Sequence, residues 1–273
     1  MTKLEQIVAA ARQKVAESKA SADMAALERR ARAHTPRGFA ACLRRAAAER
    51  PAIIAELKKA SPSKGLIRAS FEPASLAKEL EDGGAAALSV LTNEEFFQGS
   101  LANLRAASAA TKLPCLRKDF MVDEFQMVEA RAHAADAVLL IVAALSDSEL
   151  RRLDAAARAQ GLDVLCEAHD ENELQRALDA GCEVIGVNSR DLKTFHVEQS
   201  TLFRIGPKIP DSALKVAESG IESGEDVARL RAAGYQAFLI GESLMRAERP
   251  GEALKKLVAG GQWSVAGGSG RRG

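Results

Sequence analysis

The stretch DVLCEAHDENELQRALDAGCEVIGVN, residues 163–188, decides the fold. It opens on a short apolar run, Val164-Leu165-Cys166, that closes abruptly on a carboxylate, Glu167. An amphipathic segment from Glu171 to Ala180 follows, led by acidic residues and ended by Gly181, which is the pattern of a helix with a glycine exit. A second apolar run then starts at Val184 and closes on Asn188. Strand, helix and strand in so few residues make a crossover unit, and such a unit joins parallel strands.

Reading outward, the same unit recurs. Short apolar runs start at Ile53, Ala86, Cys115, Ala137, Asp163, Val184, Leu214 and Ala237, spaced 21 to 33 residues apart. The helices between them are best marked at Pro73 to Glu81, Glu124 to Ala134, Ser146 to Gln160, Glu171 to Ala180 and Ser223 to Ala233. Eight such units fit an α/β chain closed as a single (β/α)8 TIM barrel, whereas a doubly wound sheet uses five or six strands. From Thr2 to about Glu49 there is only helical periodicity, broken at His34 to Gly38. The expected division is an N-terminal helical extension over 1–50, the barrel over 51–259 and a flexible tail over 260–273.

Composition narrows the function. Among 273 residues, Lys+Arg number 38 and Asp+Glu 37, so no strong field draws the chain to nucleic acid or to an anionic membrane. The longest apolar run, Ala137 to Leu145, is half of a bilayer span, and the N-terminus opens polar. A soluble cytoplasmic protein without nucleic-acid or membrane partners is expected. Cys42, Cys115, Cys166 and Cys182 are scattered and read as free buried thiols, and no His or Cys spacing suggests a metal site. The glycine-rich hexapeptide Gly268 to Gly273 matches a dinucleotide fingerprint by spacing, but no helix can follow it.

In a barrel of this kind the chemistry sits where polar residues end the strands. Glu56 and Lys58 share a face with Ile54 at the first strand end. Lys118 lies in the charged end of the third, Glu167 ends the fifth, Asn188 and Arg190 share a face at the sixth, and Glu218-Ser219-Gly220 and Gly241-Glu242-Ser243 end the last two. Charges in an apolar mouth are costly unless paired, so these lysines and carboxylates should compensate one another and have perturbed pKa values suited to acid/base work. The glycines after strands seven and eight point to a phosphate, to which the loop residue Ser61 could add a hydroxyl. A small phosphorylated substrate with a sugar carbonyl follows.

Five segments then carry a resemblance: IAELKKASPSKG (54–65), LRKDF (116–120), NSRDL (188–192), ESGI (218–221) and LIGESLM (239–245). In order and spacing the chain resembles the indole-3-glycerol-phosphate synthases of tryptophan biosynthesis, over roughly Thr2 to Ala259. The resemblance implies helices over the active-site face and closure of 1-(2-carboxyphenylamino)-1-deoxyribulose 5-phosphate to indole-3-glycerol phosphate, a carboxy-lyase reaction that also loses water, with no cofactor. It implies Lys118 as general acid on the ketone, Lys58 on the substrate carboxylate, Glu56 and Glu167 in dehydration, and Asn188, Glu218 and Ser219 around the reacting groups. Ser61, Ser219, Gly220, Gly241 and, through its backbone, Glu242 would lie around the phosphate, Arg190 would support the site, and Phe120, Leu139 and Leu192 would enclose the ring. Ser189 and Cys166 depart from the family pattern without removing a catalytic group. A monomer and an association with other tryptophan-pathway enzymes both remain open. The alternatives are a related phosphate-binding barrel such as phosphoribosylanthranilate isomerase, or a non-catalytic metabolite-binding barrel.

Overall fold

The computed structural model describes residues 2–192 and 194–259. The strands are β1 (Ala52–Leu57), β2 (Ala87–Leu91), β3 (Cys115–Lys118), β4 (Ala137–Ile141), β5 (Asp163–Ala168), β6 (Val184–Asn188), β7 (Leu214–Glu218) and β8 (Ala237–Ile240). Each pairs in parallel with its sequence neighbours, and β8 returns to β1 with Ala52 opposite Ala237, so the sheet closes into an eight-stranded barrel. Closure leaves no edge strand, and every crossover places a helix on the outside.

Alternation along the strands sorts the core into two layers. In β1, Ala52 and Ile54 join Leu116, Leu139, Leu165, Val216 and Leu239 inside the barrel. Ile53, Ala55 and Leu57 belong instead to the layer beneath the helices, with Leu88, Val138, Cys166, Ile185 and Phe238. The same alternation sends Lys118 inward and Arg117 outward, where Arg117 is buried against Glu129 at 2.9 Å and donates to the Gln126 carbonyl.

The N-terminal segment forms three helices, α1 (Lys3–Ser21), α2 (Met24–Ala33) and α3 (Phe39–Glu49). Periodicity reads the first two as one, but Asp23 accepts a hydrogen bond from the Ala26 amide and starts α2 as its N-cap. The helices are not all over one face. Ile7 and Ala11 of α1 pack with Phe120, Leu139 and Ile141 at the strand C-terminal ends, and Arg12 and Lys19 pair with Glu149 and Asp123. By contrast, α3 plugs the opposite end: Phe39 and Leu43 are fully buried, the Ala40 amide donates to Asp163 at the start of β5, and Cys42 donates to the Ala86 carbonyl. Asp136, wholly buried before β4, anchors the connection, accepting from Arg37, His34 and the Cys115 amide.

The expectation of four free thiols is corrected. Cys166 and Cys182 form a disulfide, leaving Cys42 and Cys115 free. Cys166 faces outward from β5 and Cys182 lies in the turn before β6, so the crossover that joins adjacent strands brings the two sulfurs together. Scatter along the sequence hides this, because the pairing spans 16 residues of strand, helix and turn. The tail 260–273, with the glycine-rich hexapeptide, lies outside the described residues.

Candidate active site

The C-terminal mouth of the barrel holds a cavity of about 690 Å³. All residues singled out from the sequence line it: Glu56, Lys58, Ser61, Lys118, Phe120, Leu139, Glu167, Asn188, Arg190, Leu192, Glu218, Ser219, Gly220, Gly241 and Glu242. They come from six of the strand ends and from the connections after β1, β3, β6, β7 and β8.

Two cation–carboxylate groups face each other there. Lys118 Nζ lies 3.0 Å from Glu167 Oε2 and 3.1 Å from Glu218 Oε2, and Lys58 Nζ lies 2.7 Å from Glu56 Oε1. Burial works against charge on Lys118, yet Glu167, Glu218 and Glu56 outweigh it and hold its pKa above the ordinary lysine value. Burial likewise opposes ionisation of Glu56, but Lys58 and Lys118 bring its pKa below the usual carboxylate range. Glu167 and Glu218 part company: against the same burial, Lys118 and His169 keep Glu167 low, whereas burial and the neighbouring Glu167 push Glu218 up despite Lys118. The two carboxylates are thus pushed in opposite directions, the kind of separation that acid/base chemistry uses.

Two glycines make room for these side chains. A Cβ on Gly186 of β6 would meet Glu218 Oε1, and a Cβ on Gly241 would meet Glu56 Oε1. Ser219 and Gly220 both adopt left-handed backbone, and Ser189 secures them by donating to the Glu218 and Ser219 carbonyls at 3.2 and 3.0 Å. The small hydroxyl at Ser189 is thus a backbone clamp. Arg190 donates to the Phe195 carbonyl and lies 3.6 Å from Glu242, closing the rim beside Gly220 and Gly241. On the first connection, a short hairpin pairs Ala60–Ser61 with Gly65–Leu66 and holds Ser61 at the mouth. Phe120, Leu139 and Leu192 supply an apolar wall.

Gly186 and Glu173 do not stand out in the sequence, and His169, two residues after Glu167, stands out there only as a metal ligand without a third partner. Gly186 carries no polar group, and its role shows only as the space that Glu218 fills. His169 and Glu173 lie behind Glu167: His169 Nε2 is 3.4 Å from Glu167 Oε1, and Nδ1 is 2.9 Å from Glu173 Oε2. The available signal was the two-residue step from Glu167 to His169, which continues the inward face of β5.

A family model described as indole-3-glycerol phosphate synthase matches residues 4–257. The chain belongs to the indole-3-glycerol phosphate synthase family. It is 57% identical over 255 residues to the indole-3-glycerol phosphate synthase of Koribacter versatilis (strain Ellin345), covering 93% of this chain and 98% of that protein. It is 50% identical over 256 residues to the enzyme of that name from Acidithiobacillus ferrooxidans (strain ATCC 53993 / BNL-5-31), covering 93% and 97%. Among solved structures, a 3-hexulose-6-phosphate synthase superposes with a TM-score of 0.61 at 16% identity, over 76% of this chain and 98% of that one. A thiamine phosphate pyrophosphorylase from Pyrococcus furiosus gives 0.57 at 16%, over 81% and 99%. At such identities these two share the barrel fold. The family is one of enzymes, carboxy-lyases that close the indole ring of a phosphorylated small molecule.

Proposed function

We propose that the residues of this mouth divide the indole-3-glycerol phosphate synthase reaction among themselves. The observation that carries the reading is Lys118 seated between Glu167 and Glu218, facing the Lys58–Glu56 pair across one cavity with an apolar wall. The substrate's aromatic ring lies against Phe120, Leu139 and Leu192, and its carboxylate is held by Lys58. Lys118 donates a proton to the ketone oxygen as the ring carbon bearing the carboxylate attacks the carbonyl carbon. A new carbon–carbon bond forms, the carbonyl π electrons pass to oxygen, and that oxygen takes the proton and becomes a hydroxyl.

Carbon dioxide then leaves, its bonding electrons restoring the aromatic ring. Water departs as the new hydroxyl is protonated and a proton is removed, with Lys58, Glu56 and Glu167 as the groups placed for these transfers. Asn188, whose side chain also accepts from the Arg190 amide at 3.0 Å, orients the sugar hydroxyls with Glu218 and Ser219. The phosphate meets Ser61 and the backbone of Gly220, Gly241 and Glu242, with Arg190 on its flank. No cofactor or metal enters this scheme.

In this reading the extension is 1–50, the barrel 51–259, and the protein works in the cytoplasm as a monomer or beside other tryptophan-pathway enzymes. No helix among the described residues is long and apolar enough to cross a membrane. The purified protein is assayed with 1-(2-carboxyphenylamino)-1-deoxyribulose 5-phosphate, following indole fluorescence and carbon dioxide together. Equal release of both supports the scheme. A folded protein that binds the substrate and releases neither would overturn it in favour of a binding barrel.

A further inference from the structure

His169 follows the end of β5, is partly buried, and its ring lies between two carboxylates. Glu173, on the helix Glu171–Asp179, accepts from the His169 amide at 2.8 Å and meets Nδ1 at 2.9 Å. The Glu173 amide is in turn capped by Asp170 at 2.8 Å, which fixes that helix start against the end of β5. With Nδ1 committed, Nε2 has one direction left. It points at Glu167 Oε1, 3.4 Å away, and makes no hydrogen bond among the described residues.

The Glu167 carboxylate is thereby divided, Oε2 to Lys118 and Oε1 to His169. We propose that His169, clamped by Glu173, is a positioning residue that fixes the Glu167 carboxylate for proton transfer in the ring-closing reaction. The inference rests on the proposed reaction for its catalytic consequence, though the arrangement itself can be observed without turnover.

The surrounding charges agree with this role. Burial opposes charge on the imidazole, but Glu167 and Glu173 overcome it and raise its pKa to about 10, so the ring is a cation near neutral pH. Beyond Glu167 stand Lys118 from β3 and Glu218 from β7. The other charges of the adjoining helix are engaged elsewhere: Arg176 with Asp147 at 2.6 Å, Glu171 with Arg204 and Lys208, and Asp179, which accepts from Gln175 at 2.8 Å. The pair also fits the opposite shifts of the two carboxylates: His169 and Lys118 both neighbour Glu167, whereas only Lys118 neighbours Glu218.

The test compares His169→Ala, His169→Gln and Glu173→Gln with the wild type in steady-state kinetics across pH. The proposal expects His169→Ala to lower kcat by about tenfold or more with KM little changed, and to move the acidic limb of the kcat profile upward by roughly half a pH unit or more. His169→Gln, which keeps a donor without the charge, should recover part of kcat but not the limb. Glu173→Gln should move the limb the same way by a smaller amount, and it covers the case in which His169→Ala fails to fold. A folded His169→Ala enzyme with unchanged kcat and limb, or with its loss confined to KM, would overturn the role.

Nitrogen NMR of the wild-type imidazole separates this inference from the reaction. A His169 ring doubly protonated at about pH 8 supports the clamp whether or not the protein turns over substrate. A ring that is neutral there overturns it, while wild-type inactivity with a charged ring would count against the proposed reaction alone.

Discussion

A methyl group added at Gly186 separates where Glu218 sits from what it does. Gly186 opposes Glu167 and Val216 in the sheet and faces the barrel interior, where Glu218 Oε1 fills the space a Cβ would take. Leu165 Cδ1, 3.3 Å from that position, blocks escape on one side. The φ of Gly186 is not among the left-handed values, so alanine costs nothing in backbone conformation and the effect is steric. Overpacking costs about 1–3 kcal/mol, and a weakened charge-assisted bond from Lys118 to Glu218 costs up to roughly 1.5–3 kcal/mol. Because one movement relieves the first at the expense of the second, the two do not add, and Gly186→Ala should lose about 1–3 kcal/mol of stability. A carboxylate displaced by about 1 Å should lower kcat on the order of 100-fold. Urea unfolding followed by far-UV circular dichroism measures the first quantity and indole fluorescence the second. In a Glu218→Ala background the methyl loses its closest contact, leaving only the tip of Leu165 near it, and should cost much less stability. An equal cost in both backgrounds, or wild-type kcat in Gly186→Ala, would refute the reasoning.

Asp136→Ala strips the buried partner from Arg37, His34 and the Cys115 amide, and should cost about 3–5 kcal/mol in urea unfolding, more than any exposed ion pair of α1. Under oxidising conditions, thiol titration of the denatured protein should find two reactive groups, Cys42 and Cys115, and four after reduction. Closing a 16-residue separation should contribute about 3 kcal/mol, so reduction should lower the urea midpoint. His169 gives a pH signature of definite sign. Its folded pKa is raised to about 10, so the native state binds more protons than the unfolded chain between the unfolded value near about 6.5 and that point. Its contribution is complete below that window and is lost as pH rises through it, and His169→Gln should flatten the alkaline decline.

Strand positions were legible because each β/α unit repeats one grammar: an apolar run, a polar stop, an amphipathic segment and often a glycine. The observed strands begin within one residue of the runs at Ile53, Ala86, Asp163 and Val184. The mouth was legible for a related reason, since an inward charge such as Glu56 or Glu167 stands out against apolar neighbours. What stayed hidden depends on contacts between distant segments. The break at Asp23 is a capping preference set inside good helix formers, and α3 at the far end of the barrel follows from Asp163 and Ala86 receiving it. Gly186 and the Cys166–Cys182 pair have meaning only through partners that the crossovers bring near.

In the proposed scheme Lys118 delivers the proton that drives ring closure. The most direct test of this step is single-turnover kinetics of Lys118→Ala and Lys118→Arg beside wild type, with substrate affinity measured separately. Removing a general acid from such a site should lower the ring-closing rate by about 100-fold or more, with binding nearly preserved through Lys58 and the phosphate contacts. Ring closure at the wild-type rate in a folded Lys118→Ala protein would contradict the account.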